Sequence, residues 1–241
     1  MNTLPKLTIV IPAKNESRLL PTLLNSLCRQ DYGLMKCTKV FLADAGSTDG
    51  TQNLAMSFAG RLDIEVIPGG LPSVGRNAGA RRATTPYVLF IDADMELQDT
   101  TLLRRAMELV ERRSLHCVTT NIWCSKGSTR DQVLYFANNI AQYGSLLVKP
   151  FSTGMFMLFD KATFDQLGGF HEQALYAEDY LLSKKVRNRK FGIVSGCIHT
   201  TNRRFRSMGH LKIVAMFLKT MANSWNDNYF LHDHGYWRQK V

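Results

Sequence analysis

One short stretch limits this chain more than any other. Tyr87-Val88-Leu89-Phe90-Ile91 is apolar, partly β-branched and aromatic, is bounded by Pro86, and closes on Asp92-Ala93-Asp94. Such a run reads as a strand buried on both faces. In open α/β sheets the ligand crevice lies outside the carboxyl ends of the strands, where these aspartates fall. Two hard oxygen ligands one residue apart suit a divalent cation that also carries phosphate oxygens. The tripeptide points to a nucleoside diphosphate gripped through a metal.

The surrounding pattern supports a sheet of that kind. Leu7–Ile11 reads as a strand ended by Pro12, with Asn15 or Ser17 as cap for a helix whose face is Leu19, Leu20, Leu23, Leu24 and Leu27. Lys39–Ala43 is a second strand, 44–51 a turn and cap, then a helix to about Ala59 and a strand near Ile64–Ile67. A helix around Val74–Ala83 leads into the carboxylate strand. Repeated βα units of this length imply an α/β fold with a mostly parallel central sheet flanked by helices. Beyond Asp94 the spacing predicts helices at Thr101–Arg113, Asp131–Val148 and Glu178–Arg189, and strands at Leu115–Trp123, Met155–Phe159 and Ile193–Ile198. A helical tail runs from Ser207 to Trp225. The expected organisation is one domain over 1–206 and a C-terminal helical appendage over 207–241.

Composition narrows the class. At 241 residues, 45% apolar and 21% charged, the chain is an ordinary globular one with room for a sizeable core. Its five cysteines form no C-x-x-C pair, which argues for reduced thiols in a cytosolic protein and against a zinc site. No signal peptide or membrane-spanning stretch is expected. Net charge is +10, and from Tyr180 to Asn226 there are ten Lys/Arg and no Asp/Glu. Such a field attracts polyanions, or is a solvated basic face.

Other candidate residues each carry two readings. Asp44 ends the second strand and is either a turn cap or a third carboxylate at the same edge; Asp49 reads as the cap of the next helix. Gly75-Arg76-Asn77-Ala78-Gly79 either offers N–H groups and a guanidinium to a diphosphate, or supplies small residues for helix–sheet packing. Glu178-Asp179 holds a general base, or places favourable charge on a helix N-terminus. His199 is a structural histidine or a ligand. Arg203-Arg204-Phe205-Arg206 neutralises phosphate or is an exposed loop. The helix from Leu211 to Leu218 is apolar nearly all round; it packs into the core or a partner, or rests on a membrane surface.

Taken together, these residues resemble family 2 glycosyltransferases. Thr8–Glu16 resembles that family's opening strand and turn, and 44–51 its D-x-G-S-x-D-G-T turn. Gly75–Gly79 is similar to its x-R-N-x-G helix start, Asp92-Ala93-Asp94 to its D-x-D metal motif, and Glu178-Asp179 to its E-D motif. Order and spacing agree over roughly residues 6–206.

The resemblance implies a GT-A-type fold, a nucleotide-sugar donor (a UDP-sugar by family frequency) and an inverting transfer. It implies that Pro12, Ala13 and Glu16 border the nucleotide, with Asp44 on its uracil or ribose side. Asp92, with Ala93 beside it, would contact ribose or donor sugar and help Asp94 hold Mn²⁺ or Mg²⁺. Asp179, beside Glu178, would be the base, and Gly154 would lie in a loop bordering the acceptor. His199 would add a metal or diphosphate ligand, and Arg203 and Arg204 would cover the diphosphate beside Arg76. The acceptor, lipid-linked or polysaccharide, would be met by residues 120–175 and the tail, and the basic stretch beside an apolar helix favours a lipid-linked or membrane-bound one. Expected partners are the donor, that acceptor and an anionic membrane touched peripherally at its inner face, but no nucleic acid. The chain lacks a Q-x-x-R-W motif and membrane helices, which argues against a processive polymerase. Two rival readings are a sugar nucleotidyltransferase, disfavoured because 13–16 has no glycine, and a non-catalytic polyanion- or membrane-binding module.

Overall fold

A strand can bury both faces only when helices cover them and other strands pair along its edges. The computed structural model, which describes residues 5–124, 126–232 and 234, meets that condition. Among these residues seven strands form one sheet: β1 (Leu7–Ala13), β2 (Lys39–Asp44), β3 (Asp63–Pro68), β4 (Tyr87–Ile91), β5 (Cys117–Trp123), β6 (Phe156–Asp160) and β7 (Phe191–His199). The order is β3-β2-β1-β4-β6-β5-β7. Every neighbouring pair is parallel except those made by β6, which runs antiparallel to β4 and β5. The expected mostly parallel α/β sheet is therefore present, with β6 as its one reversed strand.

Helices α1 (Leu20–Cys28), α2 (Thr51–Met56), α3 (Pro72–Arg82) and α4 (Leu102–Arg112) follow β1 to β4 in turn. α3 shows little apolar periodicity because it packs through glycines. A Cβ on Gly79 would sit 2.4 Å from Val10 Cγ1, and one on Gly75 would sit 3.1 Å from Ala43 Cβ. The missing side chains let α3 settle directly on β1 and β2. On that side of the sheet Phe90 meets Phe164 and Phe170 at ring-centroid distances of 4.9 Å each, and Phe159 at 6.4 Å. Full burial of each such ring contributes roughly 1.5–3 kcal/mol.

The second half differs more from expectation. α5 (Thr129–Ser145) opens with a capping box between Ser128 and Asp131. α6 (Lys161–Gln166) follows β6. α7 spans only Glu178–Ser183, not the helix to Arg189 that the charge pattern suggests. Val186 is drawn into the core beside Phe191, and Asn188 Nδ2 donates to the Leu146 and Val148 carbonyls, so the chain turns away early. The tail is two helices, α8 (Arg203–Met208) and α9 (His210–Ala222), separated by Gly209 at φ 81°. Neither Asn15 nor Ser17 caps α1. Asn15 stands at φ 54°, accepts from Thr48 N–H through its side chain and donates its own N–H to Ser47 Oγ; Ser17 N–H donates to Asp49. All three tie the loop after β1 to the loop after β2. Among the described residues no helix is long and apolar enough to cross a membrane.

Candidate functional site

The register of three strands builds the rim. Ala13 pairs with Asp44, and Val10 pairs with Phe90, so Asp92, two residues past Phe90, emerges near Pro12. A cavity of about 1740 Å³ opens there. Pro12, Ala13, Glu16, Arg76, Asp92, Ala93, Asp94, Gly154, Glu178, Asp179, Arg203 and Arg204 all line it.

Arg76 takes a different part from the one expected. Its side chain is almost fully buried, with Nη1 donating to Glu178 and Nη2 to Asp92 at 2.6 Å each. Burial alone would lower its pKa, but Asp92, Glu178 and Asp179 around it hold the guanidinium charged. Its fork is spent on those carboxylates rather than on a diphosphate. Without a cation here, three acidic groups would crowd a poorly hydrated corner. Gly154 makes room: a Cβ there would fall 2.4 Å from Arg76 Nη2.

Asp179 stands at the start of α7, after Ala177 in the left-handed region at φ 52°. Its carboxylate accepts from the N–H of Gly154 at 2.5 Å and of Tyr180 at 2.7 Å. Burial and the neighbouring charge of Glu178 push its pKa up to about 7, against the opposing pull of Arg76 and the two N–H donors. A carboxylate that changes charge near neutrality, in a cleft, is suited to accept a proton.

On the other side of the rim, Arg203 makes a bidentate pair with Glu16 at 2.7 and 2.9 Å and reaches Asp94 at 3.1 Å. Burial and the charge of Asp92 raise the Asp94 pKa to about 6, despite Arg203. Two partly buried carboxylates under mutual repulsion suit a divalent cation, and their hard oxygens fit Mn²⁺ or Mg²⁺. Among the described residues no three His, Cys, Asp or Glu side chains are grouped to cage a metal. Asp92 and Asp94 are the residues that would hold a cation here, and it would need further ligands from phosphate or water.

Two expected residues do not join this group. Asp44 is not in the cavity wall; Ala45 is. Its oxygens accept from Ser47 N–H and Oγ, Gly46 N–H and Gln52 Nε2, and these bonds outweigh burial and lower its pKa. It organises the turn after β2. His199 lies at the end of β7, where its backbone bridges to Glu96 and its Nε2 faces Cys197 Sγ at 3.6 Å. Burial lowers its pKa, and it stands outside the cavity lining. Sequence reasoning missed Phe151, Tyr176 and Phe217, which line the cavity where Phe217 meets Phe151 at 6.2 Å. For Phe217 the available signal was the largely apolar run from Leu211 to Leu218.

Comparison with known proteins bears on the family and the fold. The profile described as Glycosyl transferase family 2 matches residues 8–169. Validoxylamine A glucosyltransferase of Streptomyces hygroscopicus subsp. jinggangensis is 37% identical over 92 residues, covering 36% of this chain and 22% of that protein. The chain thus spans under a quarter of that relative's length. Staphylococcus aureus TarS, residues 1–349 in complex with UDP-GlcNAc, superposes with a TM-score of 0.68 at 19% identity, over 83% of this chain and 59% of that one. Mannosyltransferase PcManGT from Pyrobaculum calidifontis, in complex with GDP-Man and Mn²⁺, gives 0.67 at 20% identity, over 90% and 65%. At these identities the two structures establish the shared fold.

Proposed function

The chain belongs to glycosyl transferase family 2, and from that premise we propose that it passes a sugar from a UDP-sugar to an acceptor hydroxyl with inversion. The observation that carries this reading is one cleft lined both by Asp92 and Asp94, at the end of β4, and by Asp179, at the start of α7. Structural relatives holding UDP-GlcNAc, or GDP-Man with Mn²⁺, support the donor class.

In this reading Asp179 accepts the acceptor's hydroxyl proton as that oxygen bonds to the anomeric carbon. The bond from that carbon to the diphosphate oxygen breaks, and the nucleoside diphosphate leaves with the electron pair. The Gly154 and Tyr180 N–H groups fix the carboxylate's orientation. Arg76 keeps Glu178 and Asp92 in place. Mn²⁺ or Mg²⁺ held by Asp94 and Asp92 would neutralise charge on the departing diphosphate. Arg203, which reaches Asp94, and Arg204 add positive charge on the same side.

The test is a panel of nucleotide sugars with Mn²⁺, read by melting temperature and nucleotide release. A matching donor at 100 times its dissociation constant stabilises by about 2.7 kcal/mol, and slow hydrolysis releases UDP. A panel that shifts nothing and releases nothing rejects the transferase; a shift without release leaves a binding module.

A further inference from the structure

Resting on the transferase reading above, we propose that the acceptor is a membrane amphiphile. Its hydroxyl-bearing head reaches Asp179, and its apolar chain lies between α5 and α9.

The cavity is larger than the donor site needs. Ligand pockets commonly enclose about 300–1,000 Å³, and this one encloses about 1740 Å³. Its excess is an arm between α5 and α9 walled by Leu134, Ala141, Val148, Ile213, Phe217 and Met221. Phe151 joins the two ends, meeting Tyr180, next to Asp179, at 6.5 Å and Phe217 at 6.2 Å. Asn138, Ser145, Thr220 and Ser224 are the polar side chains set among these apolar ones, enough to orient a ligand but not to solvate the arm.

The outside of the arm is equally apolar. Val133, Phe136, Ile140 and Leu147 recur at helical spacing on α5 and its C-terminal end, and are 59%, 59%, 57% and 87% exposed. A solvated helix face ordinarily carries charge, and this one has none from Gln132 to Val148. On the other helix Leu211 and Leu218 are exposed, as is Trp225 just beyond it. Contiguous exposed apolar surface of this kind marks an interaction site.

Charge selects the occupant. Lys149 lines the cavity beside Val148, Lys212 and Lys219 are exposed on α9, and no acid occurs from Tyr180 to Asn226. Apolar side chains flanked by lysines match an anionic lipid surface. A second copy of a +10 chain would set these lysines against their equivalents.

The test uses the purified chain with vesicles of phosphatidylcholine, alone or mixed with phosphatidylglycerol, and a dansyl-labelled undecyl alcohol as acceptor probe. The chain should cosediment with the mixed vesicles in a salt-sensitive way. Phe136→Ser with Ile140→Ser should weaken this at least about tenfold, with an unchanged melting temperature because both positions are exposed. The probe should bind saturably, and Ala141→Trp should weaken it about tenfold by filling the arm. Val214→Trp on the facing helix reads the same quantity should Ala141→Trp fail to fold. No vesicle binding, no probe binding, or a dimer that the serine variant dissociates overturns the proposal. UDP-sugar binding by the unaltered chain separates the two failures: if it persists, only the amphiphile falls; if it is lost, the transferase reading falls too.

Discussion

Asp179 and Gly154 are joined by a 2.5 Å hydrogen bond from the glycine N–H to a carboxylate oxygen. This bond stabilises the charged form, yet burial outweighs it and the pKa stands at about 7. The base form therefore appears only as pH rises through neutrality. We expect kcat/KM, which reports the free enzyme, to climb about tenfold per pH unit below pH 7 and to level above it. A flat profile from pH 5 to about 8 contradicts Asp179 as the base.

The same group shapes stability. Its folded pKa lies above the unfolded value, so its contribution is fully present below the unfolded value and is lost as pH rises through about 7. Asp179→Asn should flatten that loss in melting curves taken across the range. It should also leave donor affinity within about twofold while lowering transfer by roughly 10²–10⁴. Retained turnover with lost donor binding would reverse the assignment.

Arg76 is the residue whose loss should be felt most by the fold. Arg76→Ala leaves Asp92 and Glu178 without their shared cation, and breaking a buried pair from one side costs about 3–5 kcal/mol. Arg76→Lys should cost less but not recover fully, since one ammonium lacks the planar fork that meets both carboxylates. Denaturant midpoints measure both. Equal stability of all three proteins would refute the clamp.

Gly79→Ala tests the seating of α3. Its methyl would lie 2.4 Å and 2.7 Å from the two Val10 methyls. Overpacking of this kind costs about 1–3 kcal/mol, visible as a lower denaturant midpoint with unchanged slope.

Much of the rim was legible because local signals coincide there. The apolar run of β4 and the carboxylates closing it are contiguous, and parallel pairing with β1 and β2 follows from the βα repeat. What stayed hidden depends on distant contacts. Arg76 meets Glu178 across 102 positions, and Arg203 meets Glu16 across 187, so no spacing rule reveals either pair. Asp44 ends a strand as Asp92 follows one, and only the bonds its oxygens accept from Gly46, Ser47 and Gln52 tell them apart. α7 ends early because Val186 is buried, a tertiary pull that overrides the favourable charge pattern. The break at Gly209 is a residue-level signal that the apolar run around it masks.

Calorimetric titration of UDP into the chain and into Asp94→Ala, each with and without Mn²⁺, tests the central claim most directly. The account predicts binding to the unaltered chain that strengthens with Mn²⁺, and binding to Asp94→Ala that Mn²⁺ no longer affects. Identical isotherms for both proteins, with and without the ion, would contradict it.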